Sequence, residues 1–285
     1  MRSRHVFGSG LTLLALVPAL ALAWGDQCKF SEDRAGGVDA KGVEKVVIRA
    51  GAGDLKVVGG QRNVRIEARG KACASTQDLL NQTQITVRRE GNTVYVETGL
   101  PQGETSGWNW GGNTYAYIDA GIALPASIPV DAIDSSGDAV FQDLQSLKLQ
   151  DSSGDLRVER IAGLADLNDS SGDLDVREVG SLKLNDSSGD IDIDNVRGGV
   201  EIDNDSSGDL RITGAGGPVR IENDSSGGIR IEDVKADVLI NSDSSGDIYA
   251  GRVSGNFTVN SDSSGSITHE SIGGKVTVPS NKLED

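Results

Sequence analysis

The chain has 285 residues, and its 43 acidic and 27 basic side chains give a formal net charge of −16 at neutral pH. Such acidity keeps a protein soluble and argues against nucleic acid or an anionic membrane surface as its partner. We therefore expect no nucleic-acid partner.

Residues 1–23 have the features of a secretory signal peptide. Two arginines give a positive start, an apolar run follows from Leu11 to Leu20, and Ala21-Leu22-Ala23 is a small-x-small cleavage site. The apolar run is too short to anchor the chain in a bilayer. We expect a mature chain that begins near Trp24, is exported to the periplasm or the cell surface, and does not insert into a membrane.

The mature chain contains two cysteines, Cys28 and Cys73. Because an exported protein folds in oxidising surroundings, we expect a disulfide between them that holds the N-terminal end together. Two soft ligands alone do not favour a metal site.

Residues 24–130 are less regular than the part that follows, and we predict that they form an N-terminal cap. The segments Gly53–Val57 and Val64–Ile66 flank a glycine pair and predict a strand, a corner and a second strand. Residues 85–98 predict a β-hairpin with its turn at Glu90-Gly91-Asn92. Residues 101–114 are rich in glycine and polar residues and predict an exposed loop.

Four aromatic residues, Trp108, Trp110, Tyr115 and Tyr117, lie close together in a chain that is only 4% aromatic. On an exposed loop, such rings can stack on sugars or on a partner protein. Alternatively, they fold over the open apolar end of a repeat array and cap it. Replacing both tryptophans by alanine should lower the stability only in the second case.

The motif Asp-Ser-Ser-Gly occurs eight times, in steps of 17 to 19 residues, and a period this short indicates one small unit stacked on copies of itself. Counted from each first Asp, positions +5, +7 and +10 are apolar in 23 of 24 cases, with His269 as the exception. The alternation predicts a strand with one buried face, and a second apolar pair predicts another strand. The motifs begin at Asp134, Asp151, Asp169, Asp186, Asp205, Asp224, Asp243 and Asp262.

Each unit is thus predicted to be strand, corner, strand, corner. Asp-Ser-Ser-Gly forms one corner, and Gly-rich breaks such as Gly163 and Gly180 form the other, where we expect positive φ angles. One unit is too small to bury itself, so the units must stack. The predicted fold class is all-β, a single-stranded parallel β-solenoid (a β-helix, expected to be right-handed) with about 18–19 residues per coil. It spans residues 131–278 and ends in a polar tail, residues 279–285.

One outward column supports stacking in register. Lys148, Asp166, Lys183, Glu201 and Arg220 occupy equivalent positions in successive units, and their charges alternate in sign. Opposite charges on neighbouring strands favour a ladder in which these residues lie side by side.

The Leu-Pro-Ala step at residues 124–126, followed by repeated Ser-Gly-Asp units with alternating apolar residues, resembles the "putative adhesin" family of bacterial β-strand-repeat proteins. That family is a domain of unknown function. The resemblance covers most of the mature chain, roughly residues 40–280. It implies a secreted or envelope-associated parallel β-helix, and it carries no catalytic residues that could be transferred.

The Asp-rich corners have two interpretations. In the first, Asp and Ser side chains satisfy backbone groups of the turns. In the second, the stacked carboxylates bind calcium, which takes six to eight oxygen ligands. The spacing differs from the nonapeptide repeat of calcium-binding β-rolls. The candidate ligands are Asp151, Asp155, Asp169, Asp173, Asp186 and Asp190, and no other cofactor is expected.

Catalysis is not expected, because an active site should interrupt the repeat, whereas here the carboxylates constitute it. After removal of the leader, His269 is the only histidine, and we expect it in the core or in the end coil. No nucleophile and base can therefore be paired. We predict an exported, monomeric, non-enzymatic module of the bacterial envelope that binds an envelope protein or a glycan. The alternative is a β-roll stabilised by calcium.

Overall fold

The structure is a computed structural model, and it describes residues 28–101 and 114–280. Nearly all regular structure in these residues is β, arranged in two 12-stranded sheets. The N-terminal elements are β1 (Phe30–Asp39), β2 (Lys45–Arg49), β3 (Leu55–Gly60), β4 (Arg65–Ala74), α1 (Gln77–Gln82), β5 (Gln84–Glu90), β6 (Thr93–Gly99) and β7 (Ala116–Pro125). The repeat forms β8 (Val130–Ile133), β9 (Ala139–Gln142), β10 (Leu147–Gln150), β11 (Leu156–Glu159), β12 (Leu164–Asn168), β13 (Leu174–Arg177), β14 (Ser181–Asn185), β15 (Ile191–Val196), β16 (Val200–Asp205), β17 (Leu210–Ala215), β18 (Val219–Asp224), β19 (Ile229–Val234), β20 (Val238–Asp243), β21 (Ile248–Val253), β22 (Phe257–Val259), β23 (Ile267–Ile272) and β24 (Val276–Thr277).

From β8 onwards, the chain winds through about eight coils, each of which gives one strand to each sheet. Odd-numbered strands from β9 to β23 lie side by side in the first sheet, and even-numbered strands from β8 to β24 lie side by side in the second. Every pair along these two stacks is parallel, as in β15 with β17 and β16 with β18. The all-β parallel solenoid is thus confirmed, while its right-handedness stays a prediction.

The register also agrees with the predicted column of alternating charges. Lys148 pairs with Asp166, Asp166 with Lys183, and Lys183 with Glu201. The Lys148 ammonium lies 3.9 Å from an Asp166 carboxylate oxygen, and Lys183 lies 3.7 Å from Glu201. All four side chains are substantially exposed, so each ion pair contributes little to stability.

The core is a continuous column of aliphatic side chains between the two sheets. The alternating residues of each strand point inward, and they are almost completely buried in every coil up to Val259. Two phenylalanines, Phe141 and Phe257, are the bulkiest fully buried side chains and lie near opposite ends of the array. Burial of each coil therefore depends on the coils above and below it, as stacking of the repeat requires.

Both corners of a coil contain glycine, but for different reasons. The prediction of positive φ angles is wrong for the glycines of the Gly-rich corner. Glycines of the Asp-Ser-Ser-Gly corners have positive φ, for example +124° at Gly172. The glycines of the other corner do not. There, a Cβ on Gly180 would lie 2.4 Å from the Gly163 carbonyl oxygen, so close stacking excludes a side chain.

The positive φ angles of the second corner belong instead to the residue at position +9, two residues after the +7 strand position. In seven coils this residue is not glycine, and it includes Arg160 and Arg252. A left-handed backbone is costly for such residues. It persists because the next residue, Ile161 or Val253, is thereby directed into the core, where it is fully buried.

The N-terminal part closes one end of the solenoid with a chain path that the repeat pattern does not reveal. Strands β2 and β3 form a coil of their own, which pairs in parallel with β8 and β9. The chain then leaves this coil and returns on its other side, where β6 and β7 pair in parallel with β2 and β3. The early strands β2 and β3 therefore lie between strands that come later in the chain, with β6 and β7 on one side and β8 and β9 on the other.

The strand that begins at Arg65, within the predicted segment Val64–Ile66, does not continue the parallel array, contrary to the prediction of a repeat-like strand. Strand β4 pairs antiparallel with both β1 and β7. Its length of ten residues, against four to six in most coils, lets it cross the end of the solenoid as a cover. The predicted hairpin of β5 and β6 is confirmed.

The last described coil is the least covered. His269 belongs to β23, is exposed, and its ring packs edge-on against Phe257 at a centroid distance of 6.1 Å. Of the two positions expected for His269, the core or the end coil, the structure shows the end coil.

Candidate functional site

The first Asp of each Asp-Ser-Ser-Gly motif points into the protein, and we call these eight residues the inner Asp column. Each is at most 6% exposed, although aspartate is rarely buried without a partner. The column follows from the corner geometry, because the preceding strand ends with this side chain on its inward face. Its members are Asp134, Asp151, Asp169, Asp186, Asp205, Asp224, Asp243 and Asp262.

Hydrogen bonding to the inner Asp column changes along the solenoid. In the first coils one carboxylate oxygen caps the turn, because Ser135 N donates to Asp134 Oδ1 at 2.9 Å and Ser170 N donates to Asp169 Oδ1 at 2.7 Å. In Asp186, Asp205 and Asp224, neither carboxyl oxygen has a hydrogen-bond partner. Turn capping, the first of the two interpretations, therefore applies to part of the column only.

Burial has a direct electrostatic effect on the inner Asp column. Loss of hydration, with repulsion from neighbouring carboxylates as the next largest cause, raises the pKa of Asp134 to about 8. The same two causes raise the pKa of Asp205 and Asp224 to about 7. They raise the pKa of Asp151 and Asp186 to about 6. These carboxyls therefore hold protons at pH values where an ordinary aspartate is ionised.

A second set of aspartates lies four residues further along and forms the outer Asp column. These side chains are exposed, and each accepts a hydrogen bond from the backbone N–H of the equivalent residue in the next coil. Asp155 N donates to Asp138 Oδ1 at 3.1 Å, and Asp209 N donates to Asp190 Oδ1 at 2.9 Å. The described members with this bond are Asp54, Asp138, Asp155, Asp173, Asp190, Asp209 and Asp247.

The candidate calcium ligands thus separate into two environments. Asp151, Asp169 and Asp186 are inside the protein, whereas the remaining three candidates belong to the exposed outer Asp column. Among residues 28–101 and 114–280, no group of three Asp, Glu, His or Cys side chains is arranged to hold a metal ion. The structure assigns no metal ligands, and calcium binding stays a prediction.

Sequence analysis missed a third ladder, which is formed by asparagine side chains at the end of the second sheet. The amide of Asn185 donates to Asn168 at 3.2 Å, Asn204 donates to Asn185 at 3.0 Å, and Asn223 donates to Asn204 at 3.2 Å. Four consecutive coils are linked in this way. The signal was present as an Asn before four of the Asp-Ser-Ser-Gly motifs.

The structure describes two of the four aromatic candidates. Trp108 and Trp110 lie outside the described residues. Tyr117 lies on β7 and Tyr115 directly precedes that strand; both are half-buried, with ring centroids 6.2 Å apart. The Tyr115 hydroxyl accepts a hydrogen bond from Lys29 N at 3.0 Å, and the Tyr117 hydroxyl lies 3.6 Å from Cys28 Sγ.

The two tyrosines therefore hold the start of the described chain against β7. The predicted disulfide between Cys28 and Cys73 is present at the same place and ties this segment to β4. Burial and the negative charge of Asp119 raise the pKa of Tyr117. The two tyrosines, the disulfide and the adjoining strands thus form one compact unit at the N-terminal end.

None of the helical structure in the described residues is long and apolar enough to span a bilayer. No protein with a curated description matches the chain in sequence.

Among solved structures, the chain is similar to a "putative cell adhesion protein" from Clostridium sporogenes, with 13% identity, a TM-score of 0.32 and coverage of 88% of this chain and 100% of the other. It is similar to a "putative adhesin" from Parabacteroides merdae, with 12% identity, a TM-score of 0.37 and coverage of 87% and 96%. A "putative lipid binding protein" from Parabacteroides distasonis has 16% identity, a TM-score of 0.39 and coverage of 88% and 94%.

The model of one protein family matches residues 38–281, which include most of the N-terminal cap and the whole repeat. The chain belongs to the Toastrack DUF4097 family.

Proposed function

We propose that this protein is an exported, non-enzymatic β-solenoid that acts as an adhesin-like interaction module of the bacterial cell envelope. The signal-peptide pattern of residues 1–23 supports export, and so does the disulfide between Cys28 and Cys73, because disulfides persist in oxidising compartments. Membership of a repeat family without a known activity is consistent with a role in binding.

One observation carries the proposal: the side chains that recur in every coil are used to build the solenoid. The inward aliphatic residues form the core, the outer Asp column bonds the next coil's backbone, and the asparagine ladder links four coils. A specific binding site should therefore lie where the repeat is interrupted. The N-terminal end interrupts the repeat, and there Tyr115 and Tyr117 follow residues 102–113 in the sequence.

We place the binding patch on Trp108, Trp110, Tyr115 and Tyr117. Aromatic faces give a large contact area for sugar rings or for a partner protein at a small cost in side-chain entropy. Because Tyr115 and Tyr117 are held by Lys29 and Cys28, a ligand that contacts them meets side chains that are already ordered. The ligand is a glycan or a protein of the envelope.

The test is a glycan array, together with binding assays against purified envelope components, using the mature chain from Trp24. The double variant Trp108→Ala/Trp110→Ala should lose at least tenfold in affinity for any ligand found, with no change in melting temperature. Lys148→Ala, on the outward face of the second sheet, is the matched control and should bind as the wild type does.

Two results would count against the proposal. A double tryptophan variant that binds normally but melts at a lower temperature would assign these residues to capping alone. Turnover of a polysaccharide by the wild-type chain would contradict a non-enzymatic role.

Export is tested separately. In cells that produce the full chain, we expect cleavage after Ala23, shown by N-terminal sequencing of the mature protein. Cys28 and Cys73 should resist alkylation unless the protein is first reduced. An uncleaved chain with two free thiols in the cytoplasm would contradict export.

A further inference from the structure

The inner Asp column is a continuous file of buried carboxyl groups. The register places Asp205 beside Asp224, Asp224 beside Asp243, and Asp243 beside Asp262. Equivalent residues of neighbouring parallel strands are about 4.8 Å apart, so each carboxyl has another one directly above and below it. Such a file is not required for a corner, since Ala50 occupies the corresponding position in the coil of β2 and β3.

The charged groups that act on the column are all acidic. Asp134 is affected by Asp151 and Asp54, and Asp224 by Asp243. Asp205 is affected by its two column neighbours and by Asp190 of the outer Asp column. No described lysine, arginine or histidine is among the groups that act on these three carboxyls. Asp151, Asp169 and Asp186 are likewise affected by other aspartates, and Asp151 and Asp169 also accept hydrogen bonds from the backbone of their own turns.

If every member of the inner Asp column were ionised, the column would consist of hydrogen-bond acceptors with no donors. A carboxylate only accepts hydrogen bonds, so two neighbouring carboxylates cannot satisfy each other. Asp186, Asp205 and Asp224 are at most 2% exposed and have no hydrogen-bond partner on either oxygen. A protonated carboxyl supplies the missing donor and removes a buried charge at the same time.

We propose that the inner Asp column is a proton-binding site, in which carboxyls along the core are protonated so that the solenoid takes up protons when it folds. Each proton lies between two successive coils and adds a donor to a file that otherwise contains only acceptors. The ligand is the proton itself, and the site is distributed over the length of the rod.

Proton uptake on folding determines how stability depends on pH. Free aspartate has a pKa of about 3.9, and the folded values of Asp205 and Asp224 are about 7. The folded state therefore binds more protons than the unfolded state between these values, and stability decreases as the pH rises. The stabilisation is complete below about pH 4 and is lost as the pH passes the folded pKa values, which is the reverse of ordinary acid denaturation.

The experiment is urea unfolding of the wild-type mature chain between pH 5 and pH 8. The unfolding constant should increase roughly a hundredfold over this range for each carboxyl with a folded pKa of about 7. The double variant Asp205→Asn/Asp224→Asn, which keeps the side-chain size but cannot ionise, should have a much flatter profile. Asp173→Asn/Asp209→Asn, from the exposed outer Asp column, is the matched control and should keep the wild-type slope.

A second measurement does not depend on any variant being folded. Infrared spectra of the native wild-type protein at pH 7 should show the carbonyl band of protonated carboxylic acids, and this band should disappear as the pH is raised to 9. Absence of the band at pH 7, or stability that increases from pH 5 to pH 8, would overturn the proposal.

Addition of calcium tests whether the inner Asp column binds a cation instead of a proton. If millimolar calcium at pH 8 raised the urea midpoint of the wild type but not that of Asp205→Asn/Asp224→Asn, the column would be a cation site and proton binding would be refuted. An equal response of both proteins to calcium, with the pH profiles as expected, supports the proton.

Discussion

Two adjacent glycines in one corner should respond to alanine with opposite signs. Gly227 ends an Asp-Ser-Ser-Gly motif with φ of +128°, and an added Cβ would lie 1.7 Å from the Gly208 carbonyl oxygen of the preceding coil. Gly228 follows it with an ordinary φ, and its Cβ would meet nothing closer than 3.5 Å, at an Asp209 carboxylate oxygen. Most other coils carry an aspartate at the position of Gly228.

The magnitudes follow from these distances. For Gly227→Ala, a backbone conformation reserved for glycine costs about 1–3 kcal/mol, and forcing an atom into a filled space costs a further 1–3 kcal/mol or so. We therefore expect a destabilisation of about 2–6 kcal/mol. For Gly228→Ala there is room, so the loss of backbone freedom in the unfolded chain should stabilise the protein by about 0.4–1 kcal/mol.

The assay is urea unfolding followed by far-ultraviolet circular dichroism at one fixed pH. With a slope of about 3 kcal/mol per molar urea, Gly227→Ala should lower the midpoint by about 0.7–2 M, whereas Gly228→Ala should raise it slightly. If Gly227→Ala unfolded within 0.5 kcal/mol or so of the wild type, or if both variants lost equal stability, the argument from coil-to-coil contact would be refuted.

Three further changes test other parts of the structure. Reduction of the Cys28–Cys73 disulfide, which closes a 45-residue separation, should cost about 4 kcal/mol, and an unchanged melting temperature in reductant would show that the N-terminal cap is stable without it. Asn204→Ala removes two cross-coil hydrogen bonds and should cost about 1 kcal/mol in urea unfolding, whereas Glu201→Ala on the same strand should cost less than about 0.5 kcal/mol. Phe257→Ala should cost about 3–5 kcal/mol because the ring is fully buried, and a smaller loss would indicate that the C-terminal coil is frayed.

The repeat was predictable because a solenoid is built from contacts between equivalent residues of neighbouring units. Period and alternation identify the inward positions, as at Ile191 and Ile193, and stacking then places Lys148 beside Asp166. The hairpin of β5 and β6 and the disulfide were predictable for local reasons, namely turn chemistry and compartment. Each of these inferences needs only the nearest neighbours of a residue.

The N-terminal path was not predictable, because it depends on contacts between segments that are far apart and share no repeat. Strand β4 carries the same kind of alternation as a coil strand, yet it runs antiparallel across the end. Alternation specifies which face of a strand is buried and says nothing about the direction of its partner. The insertion of β2 and β3 between β6–β7 and β8–β9 is equally invisible in the residues.

In the candidate site, too, some features were predictable from the sequence and others were not. The sequence by itself determined that identical aspartates stack along the rod, because the motif returns with a nearly constant period. Only the tertiary structure decided that Asp205 points into the core while Asp209 points to solvent, since the direction of a corner side chain is set by backbone dihedral angles that composition does not encode. A polar residue is expected at the surface, and here the first aspartate of each motif is enclosed instead, because it comes at the end of the preceding strand with its side chain on the inward face.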